Sequence, residues 1–281
     1  MQKISDIDGG REFDWGRTSE DYARYRDIYP DELYNKLLSH GYCVKGQTVL
    51  DIGTGTGVIP RRLYRYGAKF TAADISENQI EAAKQLAAKE QMSIDFLVSP
   101  AEEIDLGENS FDVITAFTCF FYFNHDKLMP KLVKMLRPGG ILLVGYMSWL
   151  PFEDEIAGKS EKLILKYNPR WTGAGETRRV AYIPDIYSKS FEKVYEDIID
   201  LEIPFTRESW NGRMKACRGV GASLSAEDIK AFEIEHLNML KEYPQSFKIR
   251  HYAALTALRL KDSAATQHKN SKTTNNIKTE E

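Results

Sequence analysis

The sequence predicts an α/β protein built on a doubly wound, seven-stranded sheet with helices on both faces. Three observations predict this fold. Residues 47–147 alternate short apolar runs with amphipathic stretches, which is the pattern of an open, mostly parallel sheet. A glycine-rich turn follows the first apolar run. Two further strand-like runs, residues 191–205 and 247–260, supply the sixth and seventh strands.

Strands and helices alternate through the first half of the chain. Five strands are expected in the apolar runs at residues 47–52, 69–74, 93–98, 111–117 and 140–147. Three helices are expected between them, at residues 58–67, 76–91 and 125–140. Ser76 is the expected N-cap of the second helix, and Gly139 and Gly140 should end the third.

The flanking segments are less regular. Residues 18–41 predict one or two helices, broken at Tyr29-Pro30 because a residue before proline is disfavoured in the helical region. Residues 148–192 are rich in aromatic and charged side chains and contain one expected helix, 152–168. The run 191–205 alternates like an edge strand. Two more helices are expected after it, at residues 207–216 and 225–243.

Composition excludes several classes of protein. The net charge is -3, which lacks the basic character of a nucleic-acid-binding domain. Three widely spaced cysteines favour neither a disulfide framework nor a zinc site. No apolar run approaches the roughly 18 residues of a membrane span. We therefore expect a cytoplasmic protein, a monomer or homodimer, with no metal, membrane or nucleic-acid partner.

The glycine-rich turn carries the chemistry. Gly53, Gly55 and Gly57 lie between an apolar strand and a helix, where a ligand can approach a backbone without Cβ atoms. Such a turn also suits nicotinamide enzymes. Asp51 would repel a pyrophosphate and suits a cationic amino-acid group. Asp74 ends the second strand, where a carboxylate can bind both ribose hydroxyls.

This motif resembles the D-x-G-x-G-x-G motif of class I S-adenosylmethionine (SAM)-dependent methyltransferases. The resemblance is to the type 11 and trans-aconitate methyltransferase-like enzymes, which methylate small molecules on a Rossmann-like sheet, and it spans roughly residues 13–261. It implies SAM as cofactor and S-adenosylhomocysteine (SAH) as product. It also implies that the three glycines wrap the methionine part and that Asp74 binds the ribose. The adjoining Thr54 and Ile75 belong to the same predicted site, as does Asp51.

The loop after the third strand brackets adenine in these enzymes. Here Pro100 replaces the aspartate that usually precedes the alanine, so adenine contacts would come from Glu102 or from the backbone at Ala101. Exposed glutamates are the alternative. At the end of the fourth strand, Phe117 and Thr118 are predicted to contact the cofactor.

The segment YARYRDIYP, residues 22–30, resembles a helix that covers the cofactor in the same family. Tyr22 and Arg26 are four residues apart and share a helix face. Arg26 could pair with the SAM carboxylate. A solvated surface arginine is the alternative.

The acceptor site is expected beside the transferred methyl group. His125 follows the fourth strand and is the candidate base, with a structural histidine as the alternative. Residues 208–224 are similar to a family segment that faces the acceptor. Arg178 and Arg179 could anchor an acidic acceptor, although surface arginines would look the same. The side chains predicted to contact the acceptor are Trp15, Tyr122, Trp149, Trp171 and Trp210.

Together these observations predict one domain in five parts. The parts are an N-terminal helical lid 1–40, a SAM-binding core 41–147, an acceptor-pocket insertion 148–192, the rest of the sheet 193–261 and a disordered tail 262–281. The predicted function is SAM-dependent methylation of a small molecule by in-line displacement. A non-catalytic SAM-binding regulatory or scaffold protein and a nicotinamide-dependent oxidoreductase are the alternatives.

Overall fold

The computed structural model describes residues 3–262 and contains one mixed sheet. Strands β1 to β7 are Thr48–Ile52, Lys69–Asp74, Asp95–Val98, Phe111–Phe117, Leu136–Trp149, Phe191–Thr206 and Ser246–Leu260. Their order across the sheet is β3-β2-β1-β4-β5-β7-β6. The prediction of seven strands is confirmed, and β6 lies at the edge as its alternating pattern indicated.

Helices follow the strands as the sequence predicts. Within the described residues, α1 to α8 are Ser19–Tyr25, Asp31–Ser39, Val58–Leu63, Glu77–Lys89, His125–Met135, Glu155–Tyr167, Arg207–Lys215 and Ala226–Leu240. Ser76 caps α4, since its Oγ accepts a hydrogen bond from the backbone nitrogen of Gln79. Pro30 separates α1 from α2 in an extended conformation, so the predicted break is confirmed.

One predicted boundary is wrong. Helix α5 ends at Met135 instead of continuing to Gly139 and Gly140. Leu136 is already extended and pairs with Phe111 of β4, so β5 begins three residues before the first of these glycines. Pairing with the neighbouring strand therefore overrides the local stop signal.

Strands β1 to β5 are parallel, and β7 is antiparallel to both β5 and β6. The chain winds outward from β1 in both directions, to β2 on one side and to β4 on the other. Open α/β sheets bind ligands at such a switch point, outside the carboxyl ends of the strands. The topology thus locates the candidate site at the ends of β1, β2, β4 and β5.

Two hydrophobic cores lie on opposite faces of the sheet. Alternate residues of β1 enter different cores, as the period of a strand requires: Val49 packs with α2 and α3, and Leu50 packs with α5. The insertion joins the first core through Ile156 and Ile164 of α6. The predicted tail, beyond Asp262, lies outside the described residues.

Candidate active site

The glycine turn after β1 is held against the end of β2. Gly53 and Gly55 have φ angles of 64° and 56°, in the left-handed region that favours glycine. The backbone nitrogen of Gly55 donates to Asp74 Oδ2 at 2.9 Å. A Cβ atom on Gly53 would lie 2.7 Å from the sulfur of Cys119. The turn therefore requires glycine and fixes the Asp74 carboxylate beside it.

A cavity of about 440 Å³ opens at the carboxyl ends of the parallel strands. The predicted cofactor residues that line it are Tyr22, Arg26, Gly53, Gly55, Asp74, Ile75, Ala101, Glu102, Phe117 and Thr118. The predicted acceptor residues that line it are Trp15, Tyr122, Trp149 and Trp171. The structure thus brings most of the candidate site residues together around one space.

Asp51 and Thr54 lie in a small recess next to this cavity. The recess also contacts Gly53 and Arg26, which line both spaces. Asp51 is almost completely buried, and its Oδ1 accepts a hydrogen bond from Thr115 at 2.5 Å. Burial raises the pKa of Asp51 to about 7, although the Thr115 hydrogen bond opposes the shift. Asp51 is therefore a carboxyl group that can titrate near neutral pH.

Gly57 does not reach the cavity. It begins α3 with a φ of 74°, and a Cβ atom there would lie 3.4 Å from Ala83 and from the ring of Phe96. Its place is in the packing of α3 against α4 and β3. The prediction that Gly57 wraps the cofactor is corrected accordingly.

His125 and Trp210 also lie away from the cavity lining. His125 begins α5, where its Nδ1 is 3.1 Å from the hydroxyl of Tyr187, and burial lowers its pKa. Trp210 is fully buried, and its Nε1 donates to Ser160 at 2.9 Å. Both side chains are held within the protein by packing, so the structure does not support a catalytic or acceptor contact for them.

Asp74 has the geometry expected of a ribose ligand. Its Oδ1 accepts the backbone N–H of Ser76 at 2.9 Å, and Oδ2 accepts that of Gly55. Burial raises its pKa, against these two hydrogen bonds. Each carboxylate oxygen keeps a further lone pair, so the group can still accept hydroxyl donors from the cavity.

Glu102 joins the loop after β3 to the loop after β4. Its Oε1 accepts the backbone N–H of Asn124 at 2.7 Å, and Asn124 in turn caps α5. Ala101 is buried beneath it in a short 3-10 helix, Ala101–Glu103. This end of the cavity is acidic, since Asp74 and Glu102 both line it.

The end of β4 has a strained backbone. Thr118 has a φ of 57°, and its backbone nitrogen donates to Gly145 of β5 at 2.8 Å. Its hydroxyl lies 2.9 Å from that of Tyr29. Non-glycine residues in this conformation cost energy and are found preferentially at functional sites.

The N-terminal segment covers the cavity. Trp15 contacts the rings of Tyr22 and Tyr122 edge-on, with centroids 6.3 and 6.1 Å apart. The guanidinium of Arg26 lies 4.4 Å from the centroid of the Tyr22 ring. Arg26 has no ion-pair partner among residues 3–262. The segment therefore forms an aromatic wall that carries the guanidinium of Arg26.

The opposite end of the cavity combines tryptophans and arginines. Trp149 and Trp171 pack with centroids 6.2 Å apart, and the guanidinium of Arg213 lies 5.0 Å from the centroid of the Trp149 ring. Arg218 also lines this space and pairs with Asp8. Neither Arg213 nor Arg218 was predicted as a site residue from the sequence, although both lie in the segment 208–224 that was expected to face an acceptor.

Tyr146, on β5, is a further residue that lines the cavity. Its hydroxyl donates to Glu176 at 2.7 Å. Burial, then the adjacent carboxylate, raises the pKa of Tyr146. Arg179 pairs with Glu176, and Arg178 pairs with Glu153 and Asp200. Neither Arg178 nor Arg179 is free to anchor an acceptor.

Residues 3–262 contain neither a membrane-spanning helix nor a cluster of metal ligands. No helix there is both long enough and apolar enough to cross a membrane. No group of three or more His, Cys, Asp or Glu side chains is placed to hold a metal ion.

Comparisons with known proteins relate this chain to methyltransferases. Residues 50–144 match the family model described as a methyltransferase domain. The ubiquinone biosynthesis O-methyltransferase of Bradyrhizobium diazoefficiens is 33% identical over 133 residues, which cover 46% of this chain and 51% of that protein. The chain spans about half the length of the curated relatives it matches.

Solved structures show the same fold. YjhP of Escherichia coli has 19% identity and a TM-score of 0.53, with 88% of this chain and 99% of that chain covered. Phosphoethanolamine N-methyltransferase 2 of Haemonchus contortus, in complex with phosphomonomethylethanolamine and SAH, has 19% identity and a TM-score of 0.52. That likeness covers 87% of this chain and 57% of the nematode chain. The chain therefore carries a methyltransferase domain at residues 50–144, built on a Rossmann-like sheet.

Proposed function

We propose that this chain transfers a methyl group from SAM to a small-molecule acceptor and releases SAH. The observation that carries the proposal is the single cavity in which the glycine turn and Asp74 lie at one end and a wall of tryptophans and arginines lies at the other. A binding protein for SAM alone would have no need of that second end.

The residues of the first end fit the cofactor. Asp74 would accept hydrogen bonds from the ribose hydroxyls, and Gly53 and Gly55 would let the backbone approach the ligand. The adenine would lie by Ala101 and Glu102. Arg26 would bind the methionine carboxylate, and Asp51 in the adjoining recess would face the ammonium group. Gly57, whose Cβ position is occupied by packing, is left out of this assignment.

The reaction requires mainly positioning. SAM supplies an electrophilic methyl group on a sulfonium, and an acceptor atom displaces the sulfur in line. The chain must therefore hold the acceptor against the methyl group and exclude water. Thr118 and Phe117 at the end of β4, with Trp149 at the end of β5, would form the surface on which the acceptor rests.

No base is assigned to His125, because its ring faces Tyr187 and not the cavity. Tyr146 lines the cavity and is held by the Glu176 carboxylate. We assign Tyr146 as a positioning residue, whose hydroxyl would orient a polar group of the acceptor. Its raised pKa means that it would act as a neutral hydroxyl.

The experiment uses SAM labelled in its methyl group, the purified chain and a metabolite extract. Label should appear in a small-molecule product, in step with SAH release. The Asp74→Asn variant should lose this turnover at low SAM concentrations. SAM binding without any turnover would favour the non-catalytic alternative, and binding of NAD without SAM would favour the oxidoreductase.

A further inference from the structure

Arg213 is a buried cation with no anionic partner among residues 3–262. Its side chain lies on α7 and lines both the cavity and the recess, and the residue is only 4% exposed. Its Nε and Nη1 atoms make no hydrogen bond with any described residue. A buried charge that is neither paired nor hydrogen-bonded is costly. Stacking on Trp149 satisfies the face of the guanidinium and leaves these donors free.

The other buried arginines of the chain are paired. Arg61 binds Asp27 and Glu90, at 3.4 and 2.9 Å. Arg218 binds Asp8 at 3.1 Å. The fold thus supplies carboxylates to its structural arginines, which sets Arg213 apart as a group whose partner comes from elsewhere.

The groups that face Arg213 increase its need for an anionic partner. They are Arg26, Tyr22, Tyr29, Cys217 and His251. Burial, then the charge of Arg26, lowers the pKa of Arg213 to about 9. The nearby Asp51 carboxyl already accepts the Thr115 hydroxyl.

The cofactor can neutralise only part of this charge. SAM brings one carboxylate, but it also brings an ammonium and a sulfonium group. Arg26 lines the cavity and the recess without an ion-pair partner among residues 3–262, so it can take that carboxylate. The guanidinium of Arg213, between the recess and Trp149, is then left without a carboxylate.

We infer that Arg213 binds a negatively charged oxygen group of the methyl acceptor, so that the acceptor is an organic anion. Trp149 and Trp171 would contact the apolar body of that molecule. This inference rests on the proposed function, since it names the class of acceptor for the same cavity.

The first test follows the Nε–H of Arg213 by nitrogen-15 NMR in protein saturated with SAH. The resonance is assigned as the one missing from Arg213→Lys. Acetate is the probe, because it is a small carboxylate, and acetamide is its neutral control of nearly the same size. Acetate should shift the resonance saturably, and acetamide should not.

Three results would overturn the inference. If SAH alone shifted the resonance and acetate had no further effect on it, Arg213 would be assigned to the cofactor carboxylate. If neither SAH nor acetate shifted the resonance, the contact with Trp149 would be the only role of Arg213. Equal responses to acetate and acetamide would show that charge is not recognised. SAH binding is first measured by calorimetry, so its absence would instead refute the methyltransferase proposal.

A second test uses activity. The metabolite extract is separated on an anion-exchange resin before incubation with labelled SAM. Acceptor activity should be found in the retained, anionic fraction, and Arg213→Gln should raise the KM for that fraction at least tenfold. Acceptor activity confined to the unretained fraction would overturn the inference, even though the chain would still be a methyltransferase.

Discussion

Asp8 and Arg218 form an ion pair with 3.1 Å between Oδ1 and Nη1, and both side chains are almost completely buried. The pair joins the N-terminal segment to the loop after α7. The same Oδ1 accepts the backbone N–H of Thr172 in the insertion at 2.7 Å. One carboxylate thus holds together three separate segments around the mouth of the cavity.

We expect this pair to contribute strongly to stability. Breaking a buried ion pair leaves an uncompensated charge and typically costs about 3 kcal/mol or more. A double-mutant cycle of Asp8→Ala and Arg218→Ala, measured by urea unfolding, should give a clear coupling free energy. The exposed pair Arg24–Glu208 also connects the N-terminal segment to α7 and is the control. Its coupling should be close to zero. Equal couplings for both pairs would contradict the prediction.

The N-terminal segment should respond to the cofactor. We predict that the amides of residues 3–29 gain hydrogen-exchange protection when SAH is added, because Tyr22 and Arg26 line the cavity. The amides of β7, which is paired with a strand on each side, serve as the internal reference. Identical exchange of the segment with and without SAH would identify it as a fixed structural element.

The sequence predicts the cofactor end well because its determinants are local. Gly53, Gly55 and Asp74 lie in strand-turn-helix units whose geometry follows from contiguous residues. The acceptor end is different. Whether Trp210 or Arg213 faces the cavity depends on the rotation of α7 against α1 and the sheet, and the local pattern does not encode it.

Contacts with residues that are distant in the sequence explain the remaining differences between the prediction and the structure. Arg218 is fixed by Asp8, and Tyr146 by Glu176, so neither position can be predicted from nearby residues. The position of His125 after β4 predicts a catalytic base, but its side chain contacts the hydroxyl of Tyr187 in the insertion. The early end of α5 is likewise set by strand pairing.

Replacing Asp74 should weaken the cofactor site directly. In Asp74→Asn, the loss of charge-assisted hydrogen bonds to ribose, each worth about 1.5 to 3 kcal/mol, should weaken SAM binding at least about tenfold. Asp112→Asn is a matched control, since Asp112 also accepts a backbone N–H, that of Thr48 at 2.7 Å, but does not line the cavity. Calorimetry should show unchanged SAM affinity for this control. Unchanged affinity in Asp74→Asn would mean that Asp74 is not the ribose ligand.

Arg213 and Arg61 should respond in opposite ways to the same substitution. Arg213→Met removes a buried charge without a partner and should stabilise the ligand-free protein by about 1 kcal/mol. Arg61→Met leaves Glu90 unpaired and removes one of the two partners of Asp27, which keeps its ion pair with Arg62, and should destabilise the protein by about 2 kcal/mol. Thermal and urea unfolding measure both variants. A loss of stability in Arg213→Met comparable to that in Arg61→Met would show that Arg213 is a structural cation.

The last prediction concerns Asp51 and pH. Burial raises its pKa to about 7, so the carboxyl is mostly neutral at pH 6 and mostly ionised at pH 8. An ammonium group binds the ionised form, so SAM affinity should rise about tenfold over this range. The stability of the ligand-free protein should change in the opposite direction. A raised native pKa means that the folded state binds the proton more tightly, so this contribution is present at low pH and is lost as pH rises through 7.

Asp51→Asn separates these effects. The variant should bind SAM more weakly at pH 8 and show little change in affinity between pH 6 and 8, as measured by calorimetry at constant ionic strength. Its free energy of unfolding should also lose the part of the pH dependence due to Asp51. If the rise in affinity persisted in Asp51→Asn, another group would be responsible. Asp74, whose pKa burial also raises, would be the first candidate, and the assignment of Asp51 to the cofactor ammonium would then be wrong.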